Sequence, residues 1–158
     1  MKQIEIKSTI DECQPDELSS EERSLVEFAI EQTSHSYAPY SRFCVGAAAA
    51  TSGGHVVTGS NQENVAYPSG LCAERTALFA AGAAYPDEGV TTLAIAARGT
   101  DGSLLTEPIS PCGACRQVII ESETRARRPI VILLYGTRRI FRINGIRALM
   151  PLTFSEIV

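Results

Sequence analysis

An excess of positive charge is missing from this chain. Lys and Arg number 14 against 18 Asp and Glu, giving a formal net charge of −4 and a pI near 5.2. A protein that grips phosphate backbones wants a basic face, so nucleic acid is not an expected partner. The runs Arg125, Arg127, Arg128 and Arg138, Arg139, Arg142 are short and read as solvated or subunit-contacting surface. No apolar stretch approaches transmembrane length. The start, Met1-Lys2-Gln3-Ile4-Glu5, alternates polar and apolar residues and holds no signal-peptide core. No membrane partner is expected, and a cytoplasmic location follows. Internal repeats and low-complexity segments are absent too. Histidine is scarce: His35 and His55 belong to no motif that would place them at a metal. The cysteines number five, an odd count at uneven spacing. That suits reduced, metal-binding use better than a secreted disulfide framework.

What is present is an ordinary globular composition, 44% hydrophobic and 20% charged. At 158 residues, the chain is expected to be a single domain over 1–158 with a proper core. Residues 1–18 are a polar, acidic arm of no assigned role; the alternation from Lys2 to Lys7 suits an edge strand or an extended arm. Ser19-Ser20-Glu21-Glu22 predicts a helix start with a capping box, continuing to about Gln32. A loop around Pro39 leads to a small-residue strand, 43–50, and Gly53-Gly54 turns it into a second strand, 55–59. Such small side chains imply a helix lying close to the sheet. A helix is expected over 71–83, a buried strand over 92–97 and a second short helix over 113–122. The run 130–135 is apolar on both faces and so central in the sheet. The alternating segment 139–143 reads as an edge strand. The sum is an α/β fold, three layers with a mixed sheet of five strands between helices, in which the strands at 92–97 and 130–135 run parallel.

Two short motifs carry chemistry. Cys112 and Cys115, three apart at a helix start after Pro111, share one helical face and can grip one ion. A Cys-x-x-Cys pair alone also fits redox motifs and structural zinc. Cys72 adds a third thiolate, and Glu74 a carboxylate two positions on. Three thiolates leave a tetrahedral zinc one open position for water, with Glu74 as nearby acid/base. Cys72 and Glu74 would point about 200° apart in mid-helix. They can serve one site only beyond a helix N-terminus, and the same must hold at Cys112. Two helix N-termini should therefore aim at one zinc, their dipoles favouring thiolates. Three thiolates leave the divalent ion at net −1, so a positive group should compensate, and Arg75 is the local candidate.

With these motifs in hand, the chain resembles the small homotetrameric cytidine deaminases of pyrimidine salvage over roughly 27–154. The likeness rests on Tyr37-Ala38-Pro39-Tyr40-Ser41-Arg42-Phe43, Val45-Gly46-Ala47-Ala48, Asn61-Gln62-Glu63-Asn64, Tyr67-Pro68-Ser69-Gly70-Leu71-Cys72-Ala73-Glu74-Arg75 and Ser110-Pro111-Cys112-Gly113-Ala114-Cys115-Arg116-Gln117. It implies one zinc per subunit on Cys72, Cys112 and Cys115, and Glu74 as the catalytic proton carrier. It implies zinc-bound hydroxide attacking carbon 4 of cytidine or deoxycytidine, with ammonia leaving. It implies Asn61 and Glu63 on the ribose 3′-hydroxyl, Phe43 in the nucleoside pocket, and the Ala73 N–H near the base. Phe154 resembles an aromatic that reaches a neighbouring subunit's site in a homotetramer, and Tyr67 matches a tyrosine near that interface. The five-stranded deaminase fold follows from the same likeness.

Other readings stay in view. A closed structural zinc site would need a fourth ligand, and neither histidine nor Cys13 or Cys44 has a motif placing it there. It would also leave Glu74 without a task. A thioredoxin-like role for Cys112 and Cys115 leaves Cys72 and Glu74 unexplained. A deaminase of another aminated heterocycle, such as a blasticidin-type antibiotic, suits Asn61 and Glu63 less well. A polynucleotide editor would want basic and aromatic stripes the chain lacks.

Overall fold

The computed structural model describes residues 1–155. Helix α1 (Ser20–Gln32) begins as the capping box requires. Ser19 accepts from the Glu22 N–H while the Glu22 side chain accepts from the Ser19 N–H. Strands β2 (Cys44–Thr51) and β3 (Val56–Ser60) form the hairpin over Gly53-Gly54. Helix α2 (Ala73–Ala84), strand β4 (Val90–Arg98), helix α3 (Gly113–Ala126), strand β5 (Val131–Tyr135) and strand β6 (Ile140–Asn144) follow in order. β4 and β5 pair in parallel, and the other pairings are antiparallel, so the sheet is mixed as expected.

The sheet has six strands where five were expected. The extra strand is β1 (Asp11–Cys13), which pairs antiparallel with β6, giving the order β1-β6-β5-β4-β2-β3. β6 is therefore not an edge, although its alternation reads as one. The strand also falls C-terminal to the Lys2–Lys7 alternation, which is exposed and holds no regular structure. Three residues are too few for a hydrophobic period to register. β1 is held by contacts that hydropathy does not report. Glu12 pairs with Arg139 at 2.9 Å, Gln14 donates to the Arg138 carbonyl at 3.2 Å, and the Cys13 thiol donates to the Ile140 carbonyl at 3.7 Å.

Alternation along β2 divides the molecule into layers. Ala47 and Ala49 face a core shared with α2 and α3, including Leu93, Ile95, Ile119, Ile132 and Leu134. Ala48 faces the opposite core with Leu25, Val26 and Ala29 of α1, and with Ala94, Ala96 and Leu133. Helices thus cover both faces. The small residues let them approach closely. A Cβ on Gly46 would lie 2.1 Å from the Ala29 carbonyl oxygen of α1. A Cβ on Gly59 would lie 2.5 Å from the Ala77 amide of α2. Both neighbours are backbone and cannot swing aside, so each glycine is a spacing requirement.

The substitution Gly46→Ala tests this directly. It should lower stability by about 1–3 kcal/mol, the usual cost of overpacking a close-packed interior. The readout is a lower denaturant midpoint with an unchanged slope, since the exposed surface on unfolding stays the same.

Candidate metal centre and substrate cleft

Both site cysteine motifs sit where a helix begins. Cys72 is the N-cap of α2 and Cys112 the N-cap of α3, each with extended backbone, and neither side chain caps its own helix. The thiols are free to turn outward from the first turn, where the N–H groups have no intrahelical acceptor. Cys115, one turn into α3, completes the group. The three sulfurs lie within 4.8 Å of one another. Cys72 to Cys112 is 3.8 Å and Cys112 to Cys115 is 3.5 Å. Zinc–sulfur bonds of about 2.3 Å at tetrahedral angles place sulfurs roughly 3.8 Å apart, so the donor set fits one zinc ion. Among the described residues no other group of three or more His, Cys, Asp or Glu is close enough to hold a metal.

Burial grades across the cluster: Cys112 is exposed, Cys72 half-buried and Cys115 buried. Without metal, the thiols share protons unevenly. Hydrogen bonding from the Cys115 thiol, joined by Arg75 and Cys112, holds Cys72 down at about 5. Cys115 is pushed up by donating to Cys72 and by its burial. Glu74 lies in the first turn of α2, only 4% exposed. Burial pushes its carboxyl up, and the negative Cys72 adds to that. Arg75 reaches the Gly70 carbonyl at 3.5 Å and the Cys72 sulfur at 3.8 Å through Nη2. Its Nε–H is buried and has no acceptor among the described residues.

An open cleft of about 510 Å³ runs from Cys72 and Arg75 to Asn61, Glu63 and Tyr67. That is within the usual size range of a small-molecule site. Three loops are knitted together to make it. Gln62 and Leu71 exchange backbone hydrogen bonds at 2.8 and 3.0 Å, and Tyr37 bridges Asn61 and Glu63 at 3.0 and 2.8 Å. Asn61 and Glu63 have a second duty that the sequence did not reveal. The Asn61 amide oxygen accepts from the Val45 N–H at 2.7 Å, and its nitrogen donates to the Phe43 carbonyl at 2.9 Å. One Glu63 oxygen accepts from the Tyr40 and Ser41 N–H groups at 2.8 and 3.2 Å. Hydrogen bonding from the Ser41 hydroxyl and the Tyr40 amide holds this carboxyl below the usual range. Each side chain keeps spare capacity: one amide N–H on Asn61, the second oxygen on Glu63.

Among the candidates, Glu74, Cys112, Cys115, Phe43, Ala73 and Phe154 are not part of this lining. Phe43 is half-buried against the core beneath it, and Ala73 is buried at the start of α2. Phe154 is 68% exposed and lies outside its own chain's cleft. Tyr67 is exposed at the rim, edge-on to Tyr40 with ring centroids 6.2 Å apart. Tyr40, Ser41 and Asn64 also line the cleft. Their place follows from the loop pairings, which no local pattern signals.

Comparisons with known proteins point one way. The family model described as the cytidine and deoxycytidylate deaminase zinc-binding region matches residues 19–132. A cytidine deaminase of Halalkalibacterium halodurans is 44% identical over 97 residues, 61% of this chain and 68% of that one. A cytidine deaminase of Mycobacterium tuberculosis is 45% identical over 93 residues, 59% of this chain and 65% of that one. A crystal structure of cytidine deaminase from Burkholderia pseudomallei, 37% identical, superposes with a TM-score of 0.71 over 87% of this chain and 100% of that one. The fold, the thiol cluster and these matches together define a zinc-dependent enzyme of the hydrolase class. The chain belongs to the cytidine and deoxycytidylate deaminase family.

Removing the metal should unmask the cysteine asymmetry. In the metal-free chain, Cys72 should be alkylated readily at pH 7, because its thiolate predominates above about 5. The rate should fall as pH drops through that value, while Cys115 stays unreactive throughout. Restoring zinc should protect Cys72, as read by mass spectrometry of the labelled peptides.

Proposed function

We propose that the chain converts cytidine and deoxycytidine to uridine and deoxyuridine by hydrolysis, releasing ammonia, as a pyrimidine salvage enzyme of the cytoplasm. The observation that carries this reading is the cleft that runs from Cys72, one of the three clustered sulfurs, to Asn61 and Glu63. It offers a metal at one end and paired hydroxyl readers at the other, as a nucleoside requires.

Cys72, Cys112 and Cys115 would hold the zinc. Bound there, zinc supplies a Lewis acid that makes water a usable nucleophile near neutral pH. The chain's own residues do the rest. Glu74 takes the proton that the attacking water gives up. It delivers that proton to the ring nitrogen beside carbon 4, and then assists the departing amine. Burial of Glu74 favours the protonated carboxyl, which is the form that must donate. The Ala73 N–H, first in its helix and without an intrahelical acceptor, is suited to orient the base. Asn61 donates and Glu63 accepts, so together their free positions read a hydroxyl that does both. Phe43 backs the pocket from the core side.

Arg75 tunes the charge of the sulfur site. Its guanidinium, beside the Cys72 sulfur, would offset the negative charge that three thiolates bring to a bound zinc. The subunit assembles as a homotetramer in which Phe154 completes a neighbour's pocket. Its 68% exposure, and its absence from the lining of its own cleft, support that assignment.

Three measurements test these roles. Purified chain should hold about one zinc per subunit and deaminate both nucleosides, and Glu74→Gln should lower kcat by at least about 100-fold with zinc retained. Full activity in that variant removes Glu74 from its role. Arg75→Gln should cost about 10-fold or more in turnover or zinc retention; wild-type values for both would end the charge-tuning reading. Truncation before Phe154 should raise KM for cytidine, and an unchanged KM counts against the shared pocket.

A further inference from the structure

Arg116 lies one residue past Cys115, and each of its three guanidinium nitrogens donates to an acceptor, the acceptors coming from two separate segments. Nε donates to the Pro111 carbonyl at 2.9 Å, and Nη2 to the Ser110 hydroxyl at 3.0 Å. Both belong to the loop that delivers Cys112. Nη1 donates to the Leu149 carbonyl at 2.7 Å, 33 residues away near the C-terminus. The next residue extends the link, since Gln117 donates to the Phe154 carbonyl at 2.8 Å. Pro111 is fully buried, while Leu149 and Met150 pack against the core shared with α2 and α3. One planar cation therefore spans the metal loop and the segment that carries Phe154.

We propose that Arg116 is a positioning residue that couples its own metal loop to the segment that carries Phe154 toward a neighbour's pocket, fixing the Ser110–Cys112 loop and the C-terminal segment in one register. The chemistry demands arginine. A guanidinium presents donors in a rigid plane, so three acceptors held by it are held relative to each other. An ammonium can satisfy the same acceptors singly but imposes no common geometry. Arginine also keeps its charge at any working pH, so the tie does not loosen as pH varies. A displaced C-terminal segment then strains the loop ahead of Cys112, and a displaced loop moves Phe154. The functional half of this inference rests on the deaminase reading above; the coupling itself does not.

The experiment compares Arg116→Lys with Gln117→Leu in the full-length zinc-loaded chain. Readouts are hydrogen exchange by peptide, zinc release to a chelator, and KM and kcat for cytidine. Arg116→Lys should speed exchange in 109–113 and in 146–155 together. It should release zinc about 10-fold faster and raise KM about 10-fold, with a smaller change in kcat. Gln117→Leu should loosen only the C-terminal peptide and leave zinc release at the wild-type rate. Combining Arg116→Lys with Phe154→Ala should raise KM by less than the product of the single effects, because both act through the same aromatic. Where Arg116→Lys does not fold, Ser110→Ala removes one of the three bonds and should show a weaker form of the same paired loosening. Faster exchange in one segment alone, or KM effects that simply multiply, overturns the coupling. A wild-type chain that binds zinc but deaminates no nucleoside overturns the functional reading instead, and the exchange and zinc arms still decide this one.

Discussion

Close approach of helix to sheet is the constraint on which the site depends. α2 lies on β3 so tightly that Gly59 has no space for a methyl group, and its two nearest neighbours there are backbone atoms. Alanines along β2 and α2 keep the gap narrow over a longer stretch. With α2 and α3 on the same face, packed into one core, their N-terminal ends come together. Larger residues on that face would lift α2 away and separate Cys72 from Cys112. Steric economy in the core is thus what makes a metal centre from residues 40 positions apart in the chain.

The electrostatics build on that frame. Two helix N-termini present partial positive charge to the sulfurs, and Arg75 adds a full one. Glu74, four-hundredths exposed in the first turn of α2, is pushed toward its protonated form by the same burial that closes the core above it. Neither effect belongs to the cleft alone. Each comes from placing a charged or titratable group in the first turn of a helix that rests on a packed interior.

Much of this was legible in the residues. The Ser19–Glu22 capping box, the hairpin over Gly53-Gly54, and the apolar run before Tyr135 each announce their element. The two-residue spacing of Cys72 and Glu74 demanded a helix end, and the structure has one there. What stayed hidden depends on partners far apart in sequence. The double use of Asn61 and Glu63 as tethers for 40–45 involves backbone groups that carry no pattern. β1 is three residues of mixed polarity held by Arg139 and the Arg138 and Ile140 carbonyls, so neither its strand state nor the interior place of β6 could be read from alternation.

The position of that short strand has a consequence for how the chain should be handled. The family model begins at residue 19, so a fragment cut to that boundary looks complete. Such a fragment would leave the outer rim of β6 with open amide and carbonyl groups, a template for pairing with another molecule. By pairing with β6, the three residues of β1 cover that rim, and trimming them away would trade a tidier molecule for a stickier one.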